Sequence, residues 1–87
     1  WEKWTGDEGA RMRDIVDAYN RSQDRVFVKM LTISGVADKT LLAASGGNPP
    51  DVAGLWNVQI AQFADAGALT DLGPMAAQRG ISEADYI

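Results

Sequence analysis

The chain has 87 residues, of which 46% are apolar and 23% charged, a globular rather than a disordered composition. It contains neither cysteine nor histidine, which excludes disulfide scaffolds, zinc knuckles, haem ligation and Cys or His nucleophiles. Eight basic against twelve acidic residues leave a net charge of −4, without the clustered basic face that binding to nucleic acid or an anionic membrane requires, and no apolar run approaches the ~20 residues that would insert this segment in a bilayer.

The first element is a helix predicted over residues 7–20. Met12, Ile15, Val16 and Tyr19 fall at i, i+3, i+4 and i+7 and form one apolar stripe, expected to be core. Thr5 and Glu8 have the spacing of a capping box, and Asp7 and Glu8 suit the positive end of the helix dipole. A strand is predicted over 25–33. Val26, Val28 and Met30 share one face and Phe27, Leu31 and Ile33 the other, the pattern of a strand covered on both sides in a parallel sheet. Ser34 and Gly35 break it, and a second helix is predicted over 37–45, with Leu41, Leu42, Ala43 and Ala44 as its apolar content. Pro49 and Pro50 forbid its continuation. Residues 51–56 read as a short buried strand in which Gly54 permits a close backbone approach.

A third helix is predicted over 58–66, with Ile60, Phe63 and Ala64 inward and Gly67 just past its end. Residues 69–72 form an extended link. A short helix over 74–78 has Pro74 in its first turn and Gly80 after its end, and Ser82 opens a last turn that stops at Ile87. The ends do not read as natural domain ends. Residues 1–4 suit the end of a first strand, with too little of it left to pair well, and Tyr86 and Ile87 are apolar in an unfinished helix. The expectation is the opening segment of a longer mature chain.

Strands alternating with helices imply βαβ units, right-handed crossovers and a parallel sheet. With the second and third strands on either side of the first, ligands would sit at the carboxyl ends of strands one and three. That rule selects residues 4–8, 34–35 and 56–59. Trp4 and Trp56 offer indole faces for the C–H faces of a sugar, and Asp7, Glu8, Asn57 and Gln59 offer partners for its hydroxyls. Residues 5–9 lack the glycine pattern of a dinucleotide site or a P-loop, and acids at the helix start would repel phosphate. Each residue also has a plain reading. Glu8 fits the cap partner of Thr5 better than a ligand contact, Trp56 divides evenly between platform and core, and Asn57 and Gln59 could serve only the start of the third helix. Nothing groups the acids into a calcium loop, and no cofactor is called for.

Trp4, Thr5, Gly6, Asp7, Glu8 and Gly9 after a strand, then residues 46–52 with Asn48, Pro49, Pro50 and Asp51, then residues 62–72 with Phe63, Ala64, Gly67, Leu69 and Leu72, resemble the N-terminal part of family 1 extracellular solute-binding proteins. These are the sugar-binding subunits of bacterial ABC importers. The similarity runs through nearly all of the chain. It implies an α/β, parallel-sheet βαβαβα fragment of a type II periplasmic-binding fold, residues 1–87 forming an incomplete part of the first lobe without the second lobe or hinge. It implies a periplasmic or extracellular location, with lipid anchoring through a removed N-terminal segment as one form, and as partners a sugar or oligosaccharide and the membrane subunits of an ABC transporter. Carried over position by position, the ligand contacts are Trp4, Thr5, Asp7, Glu8, Trp56, Asn57 and Gln59, with Ser34 a weaker candidate. Many relatives have Asp where Asn57 stands.

Two other readings stay open. An α/β enzyme acting on carbohydrate could use the same crevice, but glycoside chemistry needs two acids ~5–9.5 Å apart across the bond. Asp7 and Glu8 are adjacent, and the opposite turn offers Asn57. A free-standing interaction module would instead unfold cooperatively as a monomer.

Overall fold

The computed structural model describes residues 1–86. Among the described residues there are four α-helices, α1 (Gly6–Ser22), α2 (Val36–Ser45), α3 (Ile60–Asp65) and α4 (Gly73–Gln78), with 3-10 turns at Asn57–Gln59 and Glu83–Asp85. None is long and apolar enough to cross a membrane.

The expected α/β parallel sheet does not form. Among the described residues the ladder is reduced to one isolated parallel bridge, Glu2 with Thr32. Residues 1–3 do lie between two extended neighbours. Glu2 donates to the Leu31 carbonyl at 2.9 Å and accepts from Ile33 at 2.8 Å, while the Trp1 amino group donates to Val52 at 2.8 Å and the Trp1 carbonyl accepts from Gly54 at 2.8 Å. The middle segment is too short to give either neighbour a second bridge, so no strand propagates. The βαβαβα fragment of a type II periplasmic-binding fold is therefore corrected to a helical chain with three short extended segments.

Residues 25–30 show what replaces the ladder. Asn20, from α1, accepts from the Val28 N–H at 2.8 Å and donates to its carbonyl at 2.9 Å. Gln23 accepts from Arg25 and Val26 at 3.0 and 2.8 Å and donates to the Val26 carbonyl at 2.6 Å. Two side-chain amides thus satisfy the backbone groups a neighbouring strand would take. The apolar residues on both faces of this segment are not covered as predicted, and Phe27 is 79% exposed.

Helix α1 matches its predicted span within two residues at each end, but not its predicted cap. Thr5 sits at the N-cap position without a side-chain bond, and its carbonyl accepts from Gly9 at 3.2 Å. The stripe is also rotated. Gly9 is buried and Met12, Val16 and Asn20 are half-buried, whereas Ile15 and Tyr19 are 65% and 45% exposed. Gly9 explains the seating of the helix, because a Cβ there would lie 2.6 Å from the Trp4 carbonyl oxygen. Helix α2 packs through Val36 and Thr40, with Leu42 outward.

The third predicted helix divides into a 3-10 turn and α3, of which Phe63 is buried while Ile60 and Ala64 are exposed. Gly67 at φ +70 ends α3, where Gly67 and Ala68 donate to the Ala64 and Phe63 carbonyls. Its left-handed conformation is one that glycine enters without a Cβ clash. Asp85 accepts from the Ser82 N–H at 2.7 Å and closes the last turn, and Tyr86 beyond it is extended. The part of that helix expected at Ile87 lies outside the described residues.

Val36 and Phe63 form the buried apolar core among the described residues. The accessible surface is 7188 Å², where a compact chain of 9.4 kDa presents about 5,000 Å². The radius of gyration, 14.4 Å, likewise exceeds the ~12 Å of a compact domain of this length. A groove of about 760 Å³ along residues 26–31 and 50–54, floored by Met12 and Val16, is the uncovered side of the extended segments.

Candidate functional site

Two turns distant in sequence come together at the ends of the extended segments. Residues 1–3 run into Trp4 and the start of α1, and residues 52–54 run into Leu55, Trp56 and the 3-10 turn. The Trp4 and Trp56 rings meet edge to face, centroids 6.1 Å apart and planes at 69°, a favoured arrangement for aromatic pairs. Trp56 remains 54% exposed and Trp4 is half-buried. The pair therefore offers indole surface to solvent instead of spending it on a core.

Two acceptors fix the backbone under these rings. Glu2, only 7% exposed, accepts from the Trp4 N–H and from the Thr32 hydroxyl, tying the Trp4 turn to the neighbouring extended segment. Gln59 accepts from the Trp56 N–H at 3.1 Å, and the Trp56 carbonyl accepts from the Gln59 N–H at 2.9 Å. Above the pair, the Lys3 ammonium lies 4.7 Å from the Trp4 centroid and 4.2 Å from the Trp56 centroid. Both are cation–π distances.

The other expected site residues divide in two. Asp7 and Glu8 are exposed on the first turn of α1, neither bonded to a protein donor among the described residues. Glu8 therefore leaves the capping role its spacing suggests, and with Trp4, Arg11, Met12 and Ile15 it lines a shallow hollow of about 290 Å³. Thr5 caps α1 only through its backbone. Asn57 accepts from the Val58 N–H at 2.9 Å, and Gln59 holds Trp56, so both have structural work. Ser34 lies exposed in the turn before α2, with no hydrogen bond linking it to the tryptophans among the described residues. The sequence reading missed Glu2 and Lys3. Alternation along an extended segment puts Glu2 on the side of Trp4 and Lys3 on the other, so no signal in the sequence placed the Lys3 ammonium over the rings.

Among the described residues no three acidic side chains converge on a point that could hold a metal ion. The arrangement is an aromatic surface with the Glu8 carboxylate beside Trp4, an amide at Trp56 and an ammonium over both rings, chemistry suited to holding a small polar molecule by stacking and hydrogen bonds.

A family model described as bacterial extracellular solute-binding protein matches residues 3–86. The chain belongs to that family. No curated protein and no solved structure matches it. For this extracellular solute-binding protein, membership carries solute binding and handover to a transporter, outside the cytoplasm. The family is generally not enzymatic.

Proposed function

We propose that this protein binds a sugar or oligosaccharide in the periplasm or outside the cell and delivers it to an ABC importer. The observation that carries the reading is the meeting of Trp4 and Trp56 at 6.1 Å, each at the end of an extended segment and each beside polar side chains. Indole faces match the C–H faces of a pyranose, and the hydroxyl rim suits carboxylate and amide acceptors. Among the described residues, Asp7 and Glu8 are the acceptors here with no competing bond. Trp56 serves as the stacking platform, Trp4 packs against it, and Gln59 and Asn57 hold the Trp56 turn in place.

These residues supply one wall of the site. A second lobe would supply the other, so the 87-residue chain alone is expected to bind weakly, because tight sites enclose most of the ligand surface. The test is intrinsic tryptophan fluorescence of the full-length protein against a panel of neutral and acidic sugars. A saturable change with at least one sugar is expected. Silence to every sugar, with a response to a peptide or a metal ion, overturns the proposal.

A further inference from the structure

Lys3 is the group at this site that the carbohydrate reading leaves unused. Its ammonium lies 4.7 Å from one indole centroid and 4.2 Å from the other, and its side chain is half-buried. Among the described residues it makes neither an ion pair nor a hydrogen bond; the ion pair the structure contains is Arg11 with Asp14. The acid next to it, Glu2, is turned away and occupied by Trp4 and Thr32. Three N–H donors on a full positive charge therefore stand unused against the two rings proposed to hold the solute.

We infer that Lys3 is a specificity-determining residue that selects a sugar carrying one carboxylate, of the uronic-acid type. The inference rests on the carbohydrate reading above. A carboxylate can take the donors of Lys3 and draw the ammonium aside, so that the sugar ring stacks on the Trp56 face over which the ammonium lies in the free protein. Charge-assisted hydrogen bonds are roughly twice as strong as neutral ones, and the aromatic pair keeps water from one side of the cation. A neutral sugar gains only the weaker bond. Asp7 and Glu8 on the adjoining turn, with a net charge of −4 on the chain, oppose a second carboxylate, which limits the preference to a singly charged solute.

The experiment is titration calorimetry of the full-length protein with an aldobiouronic acid, which carries one uronic acid and one neutral sugar, and with the same disaccharide after reduction of its carboxyl group. The acid is expected to bind about tenfold more tightly, consistent with a charge-assisted bond replacing a neutral one. That ratio should collapse toward one in Lys3→Gln, persist in Lys3→Arg, and fall with added salt in the wild type. Equal binding of the two sugars, or equal loss of both in Lys3→Gln with the ratio retained, overturns the inference and leaves the carbohydrate reading standing. Failure of both sugars to bind, with no response across the neutral panel, removes both readings.

Discussion

Gly9 and Glu2 control the position of Trp4 from opposite sides. A Cβ at residue 9 would meet the Trp4 carbonyl oxygen at 2.6 Å, and backbone cannot move aside as a side-chain tip does. Gly9→Ala is therefore expected to cost about 1–3 kcal/mol, the usual range for overpacking, measured by urea denaturation. Gly54→Ala is the contrast. Its nearest neighbour would be the Glu2 Cβ at 3.7 Å, ordinary contact, so stability should change by less than about 0.5 kcal/mol. The close approach anticipated at Gly54 is thus a backbone hydrogen bond and not a steric need. Glu2 works through its acceptors. In Glu2→Ala the Trp4 N–H and the Thr32 hydroxyl lose their partner, at about 1–3 kcal/mol for a group left unsatisfied. Glu2→Gln can still accept from Trp4 with its oxygen and donate to Thr32 with its nitrogen, so the same denaturation series should place it close to wild type.

Among the elements, α1 holds the segment after it through two amides. Asn20→Ala removes both bonds to Val28 and is expected to cost about 1–2 kcal/mol, with faster amide exchange at Val28 while the middle of α1 stays protected. Unchanged exchange at Val28 would show that the segment is held otherwise. This region also marks how far the sequence could be read. Helix spans were legible because local signals set them: apolar spacing in α1, the prolines after α2, Gly67 and Gly80 at helix ends. Burial was not. Tyr19 and Ile15 share a stripe with Met12 and Val16, yet which part of a stripe turns inward depends on what stands opposite, and opposite α1 stands the Trp4 carbonyl against Gly9. The strand over 25–33 failed for the same reason. Valines and a phenylalanine favour extended backbone, but a strand needs a partner, and the three residues before Trp4 offer one bridge. In the site, the two tryptophans could be picked out by their place after extended segments. Lys3 and Glu2 could not be given partners before the segment carrying them was set between its neighbours.

The chain as a body exposes roughly 2,000 Å² more surface than a compact one of its size. Phe27, Leu42, Val52 and Val58 are each more than 70% exposed. By itself it is expected to bind a hydrophobic dye without denaturant and to associate as its concentration rises; a monomer that excludes the dye and unfolds in one sharp transition would contradict the open face described here. The tryptophan pair does not depend on that face, since its backbone is fixed by Glu2 and Gln59. Titration calorimetry of the full-length protein with the sugar panel, wild type beside Trp56→Ala, tests it most directly. Truncating an indole that a bound ring covers should remove about 2 kcal/mol, roughly a thirtyfold loss of affinity, with the fold intact by circular dichroism. A Trp56→Ala protein that binds the same sugar as tightly as wild type would place the solute elsewhere.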